Sequence, residues 1–169
     1  MNFKIKIYID GASRGNPGHA AIGAVFMDEQ NKILNKFHKY LGIRTNNFAE
    51  YSALVFALEE AKKIGYKNIE VRSDSELLIK QINGEYSVKS LDLKPLYLNV
   101  KKLLNDFNNY KFFHIPRTLN KVADKLANIA LDLNGSGIKT ESNNQLFKIN
   151  YTDVQERKIR KRIKLSKVD

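Results

Sequence analysis

The chain reads as an α/β domain built on a mixed five-stranded sheet. Three features point there: an opening strand with two-residue alternation, a helical apolar pattern soon after it, and strands that then interleave with helices. Phe3, Ile5, Ile7 and Ile9 alternate with Lys4, Lys6, Tyr8 and Asp10. Residues 11–18 follow as a turn-rich loop, tightest at Gly15-Asn16-Pro17-Gly18. Residues 21–27 and 33–41 read as two strands joined through Asp28-Glu29-Gln30-Asn31. Residues 47–64 form the clearest helix, with Phe48, Tyr51, Val55, Leu58 and Ala61 on one face and Gly65 as its stop. A short strand at 69–72 and a short helix at 75–82 come next, the helix stopped near Gly84. A longer helix at 93–107 tolerates Pro95 because that residue lies in its first turn. A last strand at 112–115 and a last helix at 121–133 complete the pattern.

Asn134-Gly135-Ser136-Gly137 breaks that helix, so the chain divides into one ordinary domain at 1–133 and a basic extension at 134–169. The extension ends in Arg157-Lys158-Ile159-Arg160-Lys161-Arg162-Ile163-Lys164. It reads equally as a nucleic-acid arm or as a solvated terminus, or a segment docked through Leu146, Phe147, Ile149 and Tyr151. The whole chain carries 29 Lys+Arg against 18 Asp+Glu, a net charge of +11 that favours polyanionic partners. With no cysteine there are no disulfides and no thiolate metal sites, which fits a cytoplasmic protein. The charged N-terminus lacks a signal-peptide core, and no apolar run approaches the roughly 18 residues of a membrane span. A monomer with no membrane partner is expected. Met1 opening directly into the first strand suggests a free-standing protein rather than a piece of a polyprotein.

Connection rules turn this order into a site. Short links make the first three strands an antiparallel meander, so the third points the same way as the first. The helix that starts near residue 47 therefore begins at the sheet edge where the first strand ends. The fourth strand then rises parallel to the first, beside it by a right-handed crossover. Asp10 and Asp74 come to lie at strand ends roughly 5 Å apart if those strands pair. Glu50, in the first turn of the first helix, sits at the same edge. If the fifth strand is also parallel, Asp124 returns there too. Four carboxylates in one crevice repel one another unless a cation neutralises them. Oxygen-only donors with no cysteine and no clustered histidine select Mg²⁺ or Mn²⁺ over zinc. Two such ions about 4 Å apart can activate water and stabilise the departing oxygen of a phosphodiester.

Each position also has a purely structural reading. Asp10 can end a strand at a turn. Glu50 stands three residues after Asn47, the spacing of a capping box with Asn47 as N-cap. Asp74-Ser75 can cap the next helix, and Asp124 can be a solvated helix charge. Convergence at one edge separates the readings, because caps have no need to share a crevice.

The motifs carry a resemblance. Asp10-Gly11-Ala12-Ser13-Arg14-Gly15-Asn16-Pro17-Gly18, Thr45-Asn46-Asn47-Phe48-Ala49-Glu50-Tyr51, Ser73-Asp74-Ser75 and the run from Ile115-Pro116-Arg117 through Asp124 to Ala127-Asn128 together resemble type 1 ribonucleases H, in order, from Phe3 to about Leu133. The resemblance implies a ribonuclease H-like fold: the mixed sheet, its fourth and fifth strands parallel to the first, flanked by helices on both faces. It also implies an endonuclease that hydrolyses the RNA strand of RNA–DNA hybrids, leaving 3′-hydroxyl and 5′-phosphate ends. Asp10 would bridge two Mg²⁺ ions (Mn²⁺ substituting), Glu50 and Asp74 would hold one side, and Asp124 the other. Glu50 would also accept from a ribose 2′-hydroxyl. Asn16, Asn46 and Asn47 match positions that touch the hybrid in its minor groove, and Arg44 and Thr45 fall near the pocket for a DNA-strand phosphate.

Two departures stand out. The loop at 117–120 lacks the histidine many members carry, which leaves phosphate or leaving-group duty to Arg117; His114, at the end of the last strand, reads as packing. The stretch 84–92 lacks a long basic protrusion, with Lys80, Lys89 and Lys94 its nearby cations. Two competing classes are a non-catalytic nucleic-acid-binding module on the same fold, and another nuclease such as a junction resolvase or exonuclease.

Overall fold

The computed structural model describes residues 3–135; the expectations for the basic run and for the apolar residues at 146–151 lie outside them. Its elements run β1 (Lys4–Gly15), β2 (Gly18–Met27), β3 (Ile33–Arg44), α1 (Asn46–Ile64), β4 (Asn68–Ser73), α2 (Glu76–Ile82), α3 (Lys94–Leu104), β5 (Asn109–His114), a 3₁₀ turn (Arg117–Leu119) and α4 (Lys121–Gly135). The five strands form one sheet in the order β3-β2-β1-β4-β5. β1 pairs antiparallel with β2 and β2 with β3, whereas β4 runs parallel to both β1 and β5. This is the mixed sheet expected from the short links of the meander and the helical crossovers after it.

Alternation on β2 assigns the helices to opposite faces. Ile22, Ala24 and Phe26 belong with Ile5, Ile7 and Ile9 to the main core, which α1 closes through Ala53, Leu54, Ala57 and Leu58 and α3 through Val100 and Leu104. Ala21, on the other face, packs with Ala130 and Leu131 of α4. Two glycines set how closely these layers approach. A Cβ on Gly11 would lie 2.2 Å from the Ala49 carbonyl carbon, so the first turn of α1 rests directly on β1. A Cβ on Gly23 would lie 2.1 Å from the Ala123 carbonyl oxygen, so the start of α4 rests on β2. Each contact seats the backbone beside one acidic residue, Glu50 or Asp124.

Three expectations need correction. Residues 11–18 are not an open loop: β1 continues to Gly15, and Gly15 pairs with Gly18 across a tight hairpin. The glycines that suggested a loop are needed instead for close helix packing and for the turn. Asp10 consequently lies within β1, not at its end; the register with β4 stops at Ile9 and Ser73, one residue earlier. His114 is exposed rather than packed, since Phe112 takes the buried position of the edge strand. Smaller differences are extensions of β2 and β3 and of α4 through Gly135, a β5 that runs Asn109–His114 and stops one residue early, and an α3 that ends at Leu104 rather than at 107. Among the described residues no helix is long and apolar enough to cross a membrane.

Candidate active site

The site forms where β4 stops and β1 goes on. One carboxylate oxygen each from Asp10, Glu50 and Asp74 lie within 4.8 Å of one another. Asp10 comes from β1, Glu50 from the second turn of α1 rather than the expected first, and Asp74 from the residue just after β4. Asp124, in the first turn of α4, lies close enough to Asp10 to add to its repulsion. The edge thus brings together all four predicted carboxylates, three of them within the tight cluster.

Glu50 does not cap its helix. Thr45 is the N-cap of α1, its hydroxyl oxygen accepting the Phe48 N–H at 3.2 Å, so the expected role of Asn47 passes to the residue where β3 hands over. Glu50 Oε2 accepts instead from the Gly11 N–H at 3.1 Å, beyond the point where β4 could pair with β1. Ser75 caps α2 by accepting from Leu78 N–H, which frees Asp74 from that duty.

The electrostatics are those of unneutralised crowding. Asp10 and Glu50 are each 6% exposed. Burial first, then repulsion from Asp74 and Asp124, pushes the Asp10 carboxyl up to about 8, against some relief from Arg117. Burial first, then repulsion from Asp10 and Asp74, pushes Glu50 well above the usual carboxylate range, although the Gly11 N–H works the other way. The nearest cation in the group is Arg117, whose Nη2 stands 3.7 Å from Asp124 Oδ1 on a side chain 81% exposed. The oxygen-only donor set and its excess negative charge fit one or more hard divalent cations, whose charge would offset the repulsion that Arg117 and the Gly11 N–H relieve only in part.

Around the cluster, the hairpin is laced to the start of α1. Asn16 Oδ1 accepts from the Asn46 N–H at 3.1 Å, and Ser13 Oγ donates to the Arg44 carbonyl at 2.9 Å. Asn16, Asn46, Asn47 and Arg44 are exposed, with the Arg44 guanidinium 4.8 Å above the Phe48 ring. Three polar residues lie within the sequence motifs with no role assigned to them there, and the structure shows them supporting the cluster. Asn128 Nδ2 donates to the Asp124 carbonyl at 3.0 Å and lies 3.4 Å from its Oδ1, while Arg14 Nη2 donates to Asn128 Oδ1 and Asp132 Oδ1 at 3.3 and 2.6 Å. The third, Asn120, donates to Asp74. The signal for Asn128 is helical spacing, since 124, 128 and 132 share a face of α4. Of the three lysines near the missing protrusion, Lys80 is committed to Glu76 at 2.8 Å and to Tyr86.

A β3-β2-β1-β4-β5 sheet with helices on both faces and carboxylates gathered where β1 and β4 part defines a ribonuclease H-like domain. Residues 8–130 match the Reverse transcriptase-like family. The chain belongs to the ribonuclease H family. It is 43% identical over 129 residues to Ribonuclease HI of Halobacterium salinarum, covering 76% of this chain and 65% of that protein. The crystal structure of RNase H1 from that archaeon superposes with a TM-score of 0.75 and is covered over 98% of its chain. LC11-RNase H1, solved in complex with an RNA/DNA hybrid, is 43% identical over 76% of this chain and 96% of that one, with a TM-score of 0.73. Bifunctional protein Rv2228c of Mycobacterium tuberculosis is 39% identical over 76% of this chain but only 36% of its own length. The chain thus spans about a third to two thirds of these curated relatives.

Proposed function

We propose that this chain is an endoribonuclease that hydrolyses the RNA strand of RNA–DNA hybrids with two divalent cations, leaving 3′-hydroxyl and 5′-phosphate ends. The observation that carries it is the approach of Asp10, Glu50 and Asp74 within 4.8 Å, with Asp124 close enough to add to the repulsion on Asp10. Asp10, Glu50, Asp74 and Asp124 would hold the ions, with Asp10 close enough to interact with the charge of each of the other three carboxylates. Mg²⁺, or Mn²⁺ in its place, would supply the charge that makes water a nucleophile at neutral pH and steadies the departing oxygen.

The protein's own groups bind and orient. Asn16 has its oxygen engaged by the Asn46 N–H, which leaves its amide N–H groups to meet acceptors in the hybrid's minor groove. Asn46 and Asn47 extend the same exposed rim. Thr45 uses its oxygen as a cap acceptor, so its hydroxyl hydrogen can still go to a phosphate oxygen beside Arg44. Glu50 keeps Oε2 on the β1 backbone and offers its other oxygen to a ribose 2′-hydroxyl. Arg117, exposed on the 3₁₀ turn beside Asp124, holds a phosphate in the place where other members carry a histidine. The cysteine-free composition supports a cytoplasmic location.

The hybrid-bound relative supports this substrate class. The test is incubation with Mg²⁺ and labelled hybrid, duplex RNA and duplex DNA. Cutting confined to the RNA strand of the hybrid is expected. No cutting, or equal cutting of duplex DNA, overturns the reading.

A further inference from the structure

Asn120 immediately precedes α4 and is 1% exposed. An asparagine in that place ordinarily caps the helix, its side-chain oxygen accepting an N–H of the first turn. Here the amide is used the other way round. Its Oδ1 is buried and has no hydrogen-bond partner among the described residues, whereas Nδ2 donates twice, to the Ile9 carbonyl and to Asp74 Oδ1, each at 2.8 Å. The first turn of α4 begins with the backbone alone, the Asp124 N–H donating to the Asn120 carbonyl at 3.1 Å. A buried amide oxygen left unpaired is costly, so the orientation is set by what the nitrogen does.

Resting on the nuclease reading above, we propose that Asn120 is a positioning residue for Asp74, fastening that carboxylate to the β1 backbone beside Asp10 and so fixing the geometry of the metal site. Asp74 lies beyond the last paired residue of β4 on both of its neighbours, and among the described residues no ladder bond orients it. Asn120 supplies the missing constraint from a third element. Ile9 precedes Asp10, Asp74 follows β4, and Asn120 leads into the helix that carries Asp124, so one amide ties together the three backbones that bear three of the four carboxylates. The job requires a donor of this length. Aspartate at 120 has nearly the same shape but offers lone pairs to an acceptor and adds a fifth negative charge; alanine leaves both acceptors unmet.

The experiment compares the full chain with its Asn120→Asp and Asn120→Ala variants. Circular dichroism checks folding, thermal melting follows Mg²⁺ addition, and hybrid affinity is read in EDTA. Hybrid cleavage is measured against Mg²⁺ concentration. Both variants are expected to need at least about tenfold more Mg²⁺ for half of the melting shift and for half-maximal cleavage, the size typical of lost outer-shell support. Hybrid affinity without metal should stay at the wild-type value. Asn120→Ser, which keeps one small donor, replaces a variant that does not fold and should fall between. A folded variant with a wild-type Mg²⁺ midpoint overturns the proposal, as does a wild-type protein whose melting ignores Mg²⁺. A wild type that binds Mg²⁺ yet leaves the hybrid intact sinks the nuclease reading alone, and the Mg²⁺ midpoints still decide the role of Asn120.

Discussion

Glu70 and Asp10 sit on neighbouring parallel strands of one sheet and meet opposite electrostatic surroundings. Burial pushes Glu70 upward, but hydrogen bonds and charge from Arg72 and Lys4 outweigh it and hold its carboxyl below the usual value. Arg72 Nη2 lies 2.8 Å and Lys4 Nζ 3.0 Å from its two oxygens, and Arg72 is itself flanked by the rings of Tyr8 and Phe113. Asp10 is more deeply buried, yet its nearest charged neighbours are mostly acids, and its carboxyl is pushed up to about 8. A carboxylate kept for the fold brings its own cations. One surrounded by other carboxylates waits for cations from outside, which is the difference between a structural charge and a metal site.

Replacing Asp10 should have the largest effect. Asp10→Asn keeps the shape and removes a charge that would hold the ions. Several kcal/mol of transition-state stabilisation, at 1.36 kcal/mol per tenfold, amounts to a loss of roughly a thousandfold in hybrid cleavage. The same variant, assayed by thermal melting without metal near pH 8, should melt higher than wild type, because a source of repulsion is gone. A lower melting temperature there would mean that Asp10 supports the fold as Glu70 does.

Gly11→Ala should rank next. The added Cβ meets backbone of α1, not a yielding side chain, so the helix must shift and Glu50 with it. Overpacking of this kind costs about 1–3 kcal/mol, and a displaced ligand can lower turnover by up to roughly a hundredfold. Cleavage kinetics with a melting curve check both; unchanged turnover in a destabilised variant would detach Glu50 from the chemistry.

Glu70→Gln should have the smallest effect on cleavage and a measurable one on stability, about 1–2 kcal/mol by denaturant titration, because Arg72 and Lys4 lose their negative partner and one of its two acceptor oxygens becomes an NH2 donor. Its pH dependence has the opposite sign to that of Asp10. A depressed folded pKa contributes stability above the unfolded value and loses it as pH falls through the folded one. Wild type should therefore shed this increment in acid, and the variant should not.

The fold and the carboxylate set were legible because both follow from coarse rules. Alternation marked β1, apolar spacing marked α1, and short links with parallel crossovers sent Asp10, Glu50, Asp74 and Asp124 to one edge. Finer placements depended on choices that chemistry leaves degenerate along the chain. Thr45, Asn46 and Asn47 are all good N-caps, and only the length of β3 decides for Thr45. Glycines at 11 and 15 look like loop punctuation in a row of letters, yet Gly11 is a strand residue that must stay bare for Ala49 to approach. Asn120 looks like a cap until its nitrogen, not its oxygen, is found facing the site. Such assignments are made by tertiary neighbours, which no local pattern encodes.

Thermal melting of the metal-free protein from about pH 5 to about pH 8, repeated with Mg²⁺, bears most directly on the crowded carboxylates. Asp10 has a folded pKa above its unfolded value, so through the window from 3.8 to about 8 the folded state holds a proton that the unfolded chain has released. Its contribution to stability is present at the acid end and lost as pH rises. The melting temperature is expected to fall toward pH 8 without metal, and Mg²⁺ should restore it there more than at pH 5. A melting temperature that stays level across that range and takes no notice of Mg²⁺ would contradict the account.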